Sequence, residues 1–267
     1  MFPIRDDIPT ERTPIVNYLV IGACVAVFLA QMNAAEDGSG LIYEYGMVPS
    51  RITRPDKPVR RIEMDDPADR QEINAELAEG IPAPPPAVPP LATLVTCIFL
   101  HGGLMHLVGN MWFLYIFGDN VEDRFGHGGY LLLYLLCGVI ASLGHLVSAP
   151  GSEIPTVGAS GAIAGVMGAY FVMFHGARVM TLIPLGIFTQ LVAVPAPFFL
   201  GIWFVFQFIS AAMTPAEGGG VAWWAHIGGF VAGVIAAWLL SAQGRVPRGY
   251  HRPEVQRAWR RQSFPWN

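Results

Sequence analysis

Four polar side chains interrupt long apolar stretches, and their types could do chemistry: His106, Asn110, Ser160 and His226. A serine hydroxyl becomes a nucleophile when a histidine lies within hydrogen-bond reach to take its proton. Ser160 stands in Thr156-Val157-Gly158-Ala159-Ser160-Gly161, between glycines that let other backbone approach closely. At a helix start it would also sit where free N–H groups and the helix dipole favour a developing negative charge. The Gly-x-Ser-x-Gly pattern of α/β-hydrolases is absent. His106 and Asn110 follow Gly102-Gly103 and are four residues apart. They therefore share one face of a helix that starts near Leu104. His226 follows Trp223-Trp224-Ala225 at the start of another apolar run. Each also has a bland reading. A membrane serine bonds to the preceding turn, a His–Asn pair glues helices together, and a lone histidine donates a structural hydrogen bond.

These residues need elements to hold them. Only 13% of the 267 residues are charged, 53% are hydrophobic, and the mean hydropathy is +0.44. These figures exclude an ordinary soluble enzyme and a disordered chain. A net charge of -4 offers no general attraction to nucleic acid. Six windows contain no Asp, Glu, Lys or Arg: 13–35, 80–118, 125–152, 154–177, 179–216 and 218–244. Each can hold a helix of ~20 residues, the length that crosses a bilayer core. The expected spans are 15–33, 104–119, 130–148, 159–176, 196–213 and 223–243. The expected class is an all-α membrane protein, a six-transmembrane-helix bundle. A β-barrel would show short alternating segments instead. Pro184, Pro195 and Pro197 break the fifth window, so it holds one span preceded by an apolar loop. Spans two, four and six then begin on one side of the membrane, and the four polar residues share one depth. Span four carries Ser160, Ala164 and Gly168 beside Gly161 and Gly165, and span six carries Ala225, Gly229, Gly233 and Ala237. Small residues at every fourth position let helix backbones come close, as a Ser160–His226 hydrogen bond requires.

The basic residues set the expected orientation. Arg124, Arg178 and the arginines from Arg245 to Arg261 fall on one side, which puts both termini in the cytoplasm. The expected layout is a cytoplasmic tail at 1–14, a membrane domain at 15–244 and a basic cytoplasmic tail at 245–267. A charged, Pro-rich insert occupies about 48–92 in the first loop, with a short surface helix expected within 66–79. Residues 91–100 are apolar but run into the Gly pair, so they dip into the membrane without crossing. Cys24, Cys97 and Cys137 lie in apolar stretches and form no disulfide framework. No His-Glu-x-x-His pattern points to a metal, and no cofactor is implied. His127 and His251 are expected in solvent, and His145 and His175 at helix ends.

Taken together, these segments resemble the rhomboid family of intramembrane serine proteases. The resemblance rests on His101-Gly-Gly-Leu-Met-His106 with Asn110, and on Gly118-Asp119-Asn120-Val121-Glu122-Asp123. Gly158-Ala159-Ser160-Gly161 and Ala225-His226-Ile227-Gly228-Gly229 with Gly233 complete it. It implies a Ser–His dyad with Ser160 as nucleophile and His226 as general base. It also implies an oxyanion hole from His106, Asn110 and backbone N–H groups near Ser160 and Gly161, with Gly158, Gly229 and Gly233 packing the helices beside it. Glu153 and Glu217 are the only acids near the outer ends of spans four and six, and the analogy gives neither a role. The implied partners are membrane-protein substrates and the lipid bilayer, with no nucleic acid and no metal. The implied location is a bacterial inner membrane, with the site open to the outer side. Span five carries no catalytic candidate, but its aromatics Phe198, Phe199, Trp203 and Phe206 suit a lateral gate. Two departures stand out. No Trp occurs before Trp112, and Ala164 occupies the place where some members have a Tyr against the histidine. A non-catalytic rhomboid-like binder is the main alternative, and a small transporter a weaker one.

Overall fold

The computed structural model describes residues 2–34, 39–60, 82–185, 188–213 and 221–244. Its elements, in chain order, are β1 (Phe2–Asp6), α1 (Ile15–Asn33), α2 (Ser39–Tyr45), α3 (Pro49–Thr53) and α4 (Pro90–Phe99, a run of short helical turns). Then come α5 (Leu104–Ser148), α6 (Ser160–Met173), β2 (Arg178–Leu185), β3 (Phe188–Pro195), α7 (Ala196–Met213) and α8 (Trp223–Ala242). The expected 66–79 helix, Glu217, His251 and the basic C-terminal tail lie outside the described residues.

Among the described residues, α1, α5, α7 and α8 are long and apolar enough to cross a membrane by length and composition. Spans two and three fall in one 45-residue element, α5, which Gly126 breaks with φ 69° and ψ 165°. That left-handed φ suits a residue without a Cβ. Helix α6 has 14 residues and is shorter than the span expected at 159–176.

Helix α1 buries Asn17, Val20, Cys24, Phe28 and Gln31, a single stripe at helical spacing, and turns the rest of its apolar surface outward. Its N-terminus lacks a side-chain cap of its own, and Glu122 of α5 supplies one. The carboxylate accepts the N–H groups of Val16 at 2.9 Å and Asn17 at 2.7 Å, where the helix dipole favours an anion. Asn17 in turn accepts from the Tyr130 hydroxyl at 2.7 Å. Gly118 makes room for that bond, since a Cβ there would lie 2.4 Å from Asn17 Oδ1.

Helix α6 is the centre of the bundle: every residue from Gly161 to Tyr170 is buried, as expected for a helix apolar all round. It touches α8 backbone to backbone. A Cβ on Gly233 would lie 1.8 Å from the Gly165 carbonyl oxygen, and one on Gly229 2.0 Å from that of Gly161.

The all-helical expectation needs one correction. Residues 178–185 and 188–195, read as part of an apolar loop, pair as antiparallel strands, and β1 joins them to make a sheet of order β1-β2-β3. Leu185 faces Phe188 at one end of the pair, and Phe2 faces Leu182. Pro195 closes its strand and Pro3 sits at a register shift, positions where a missing N–H is tolerated. The first residues are thus anchored. The Trp112 indole N–H also donates to the Pro3 carbonyl at 2.7 Å, and Asp123 accepts the N–H groups of Glu11 and Arg12.

Candidate active site

Ser160 is the first residue of α6, and its position is set by the loop before it. Gly158 has φ 125°, a conformation L side chains rarely adopt, and its N–H donates to the Cys97 carbonyl of α4 at 2.9 Å. Thr156 pairs with Met47 through two backbone hydrogen bonds of 2.8 and 3.1 Å. The nucleophile candidate therefore stands at a helix start pinned to two earlier segments.

His226 lies in the first turn of α8 and is buried. Its Nε2 is 2.8 Å from Ser160 Oγ, a hydrogen bond across the Gly-lined contact of α6 with α8. Trp203 lies 6.0 Å from the imidazole, tilted by 33°, and Trp223 meets it edge-on at 6.1 Å. The two indoles flank the ring.

His106 and Asn110 sit in the first turns of α5 and reach the same place. A Cβ on Gly158 would lie 2.9 Å from His106 Nε2 and 3.6 Å from Asn110 Nδ2. The Gly102 N–H points at His106 Nδ1 at 3.4 Å, which leaves Nε2 as the protonated nitrogen facing Gly158. Asn110 Nδ2 is enclosed and has no hydrogen-bond partner among the described residues. Such a donor is costly to keep unless something else accepts from it. Gln31 of α1 steadies the approach to α5: its amide accepts the His101 N–H and donates to the His101 carbonyl, both at 3.0 Å.

Ser160, His226, His106, Asn110, Gly158 and Gly161 all line one cavity of about 560 Å³. Gly161 also serves packing, since a Cβ there would lie 2.5 Å from the Cβ of Ala141. Glu153 is committed elsewhere, accepting the Arg60 N–H at 3.0 Å. No group of three or more His, Cys, Asp or Glu able to hold a metal occurs among the described residues.

One residue escaped the sequence reading. Gln207 of α7 is buried, and its Oε1 lies 2.7 Å from His226 Nδ1. Its signal was an amide in a charge-free helix, the same kind of signal as Asn110. The aromatics proposed for a gate also divide. Phe198 and Phe206 face outward, Phe199 is buried and stacks on Phe117 at 6.3 Å, and Trp203 turns toward His226.

The family model for the Rhomboid domain matches residues 90–243. The chain belongs to the rhomboid family. The matched region runs from α4 through α8 and so contains every residue of the site; β1 and α1 precede it. Rhomboid protease GluP of Bacillus subtilis is 34% identical over 147 residues, 55% of this chain and 25% of that protein. Rhomboid-like protein 11, chloroplastic, of Arabidopsis thaliana is 32% identical over 160 residues, 55% of this chain and 51% of that one. Rhomboid protein 1, mitochondrial, of Saccharomyces cerevisiae is 27% identical over 158 residues, covering 56% and 42%. This rhomboid chain thus spans between a quarter and about half of these relatives' lengths. Its apolar helices and its family make it an integral membrane protein.

Proposed function

We propose that this rhomboid protein is an intramembrane serine endopeptidase that cleaves membrane-protein substrates in or near their transmembrane segments. The observation that carries the reading is the 2.8 Å contact of Ser160 Oγ with His226 Nε2, in a cavity that also holds Asn110, whose enclosed Nδ2 has no partner among the described residues. Ser160 attacks the scissile carbonyl and His226 takes its proton, later returning it to the leaving amine. The oxyanion rests against Asn110 Nδ2, His106 Nε2 and the backbone N–H groups at the start of α6. Water then hydrolyses the acyl-enzyme, with His226 again as base. A substrate helix has to unwind locally, because a helical peptide bond hides its carbonyl. Entry past the outer end of α7 suits this, because the buried Phe117–Phe199 stack ties α7 to α5 near the opposite end.

The reading includes six crossings: α1, the two halves of α5, α6, α7 and α8. Arg124 and Arg178 mark the cytoplasmic side, which puts the amino terminus inside and the cavity outside. The purified protein and Ser160→Ala, each incubated with a model single-span substrate, test the proposal. Cleavage should fall by roughly 10³-fold or more in the variant. Cleavage that survives in Ser160→Ala overturns the proposal.

A further inference from the structure

The Gln207 amide can face only one way. Its Nε2–H donates to the Trp203 carbonyl one turn back, at 3.3 Å, so the oxygen is the atom turned to His226 Nδ1 at 2.7 Å. An amide oxygen only accepts, so Nδ1 must carry the ring proton. Nε2 then presents its lone pair to Ser160 Oγ at 2.8 Å. The opposite tautomer would aim an N–H at the serine and could not take its proton. A neutral amide does this without placing a second charge in an apolar bundle, where an ion is costly.

Gln207 does not sit on the helices that hold the dyad. It belongs to α7, whose outer end rests on α8 through Phe206 against Trp223 at 6.2 Å and Phe208 against Trp224 at 6.5 Å. An outward swing of that end removes the amide from His226 while Ser160 and His226 stay on α6 and α8. We infer that Gln207 is a positioning residue that keeps His226 in its proton-accepting tautomer only while α7 is seated on α8. The consequence for the reaction rests on the protease reading: an open α7 admits substrate to a dyad that is not yet competent, and reseating α7 completes it.

The tautomer can be read without any assay of activity. Full-length protein labelled with ¹⁵N-histidine and reconstituted in lipid bilayers gives ring-nitrogen signals, with those of His226 identified by their loss in His226→Ala. Wild type should show a protonated Nδ1 and a bare Nε2. A wild type with protonated Nε2 overturns the inference with no variant needed. Gln207→Leu keeps the volume but removes the acceptor. It should populate the second tautomer and lower kcat by roughly 10–100-fold with KM little changed. Gln207→Glu restores an acceptor and should recover the Nδ1–H signal and part of kcat. An unchanged spectrum in Gln207→Leu overturns the positioning role. Phe206→Ala combined with Phe208→Ala loosens α7. It should weaken the Nδ1–H signal and slow labelling of Ser160 by a small fluorophosphonate; an unaltered signal overturns the coupling to α7. The expected spectra in a protein that cleaves no membrane substrate would sink the protease reading and leave the tautomer assignment standing.

Discussion

Asn110 separates two roles that its position in the sequence left open. A residue that only glues helices has its polar atoms paired, yet Asn110 Nδ2 is enclosed and has no partner among the described residues. An oxyanion donor waiting for substrate looks like this. Asn110→Ala should therefore lower kcat by roughly 10²–10³, while the thermal midpoint in detergent stays level or rises, because an unpaired buried donor is removed. A marked fall in the midpoint would return Asn110 to the role of glue. Gly158 makes a sharper case. Its φ of 125° and the 2.8 Å between a Cβ and His106 Cε1 mean that Gly158→Ala moves the His106 ring as well as straining the loop. Cleavage by that variant should drop at least as far as in Asn110→Ala. At this scale the sequence was readable wherever a polar residue interrupted an apolar run and a neighbouring motif gave it context. Ser160, His226, His106 and Asn110 do meet in one cavity. Gln207 was not readable, because an amide between Phe206 and Phe208 says nothing of its partner. That partner is a ring on the next helix, 19 residues later.

Between α6 and α8 the Ser160–His226 distance depends on missing side chains. The Gly161–Gly229 and Gly165–Gly233 approaches set the separation at which Ser160 and His226 can bond. Gly233→Ala forces a methyl to within 1.8 Å of the Gly165 carbonyl unless the helices part. Overpacking of this kind costs about 1–3 kcal/mol, and here it also stretches a hydrogen bond, so the thermal midpoint and cleavage should fall together. Gly22→Ala on α1, where a Cβ meets nothing within 4 Å, is the control that should leave both unchanged. A Gly233→Ala protein with wild-type cleavage would mean that the dyad tolerates a wider helix pair. Helices were legible because charge-free windows leave the backbone few ways to satisfy itself in lipid. The ends of α1 and α7 match the expected 15–33 and 196–213. The sheet was not legible. Its first strand pairs with residues more than 170 positions away, and Pro184 and Pro195 read as breakers of a helix rather than as residues of paired strands.

Over the whole molecule, two distant β contacts hold opposite ends of the bundle. The Met47–Thr156 bridge joins the first loop to the loop before α6, on the side of the cavity. The β1–β2 pairing joins the amino terminus to the segment after α6, at the other end. Each contact links segments that the proposed six crossings would put on one side. The second contact also carries a proton-linked term. Asp6 of β1 is buried, accepts from Asn120 Nδ2 at 2.9 Å and takes the Tyr170 hydroxyl as a further donor. Burial holds its carboxyl well above the ordinary 3.8, the nearby Asp119 charge pushes it further, and the Tyr170 hydrogen bond only partly opposes them. The folded protein therefore binds this proton more tightly than the unfolded chain does. Its stabilising effect is full below the ordinary carboxyl value and is lost as pH rises through the raised folded value. The apparent Tm of the detergent-solubilised protein should accordingly decline through this group as pH is raised above the ordinary carboxyl value. Asp6→Asn, which is neutral throughout and keeps one acceptor for Tyr170 or Asn120, should flatten that slope and raise Tm most at the alkaline end. If Asp6→Asn keeps the full wild-type slope, the proton sits elsewhere. If wild-type Tm climbs across this range, β1 is docked by an ionised Asp6 after all.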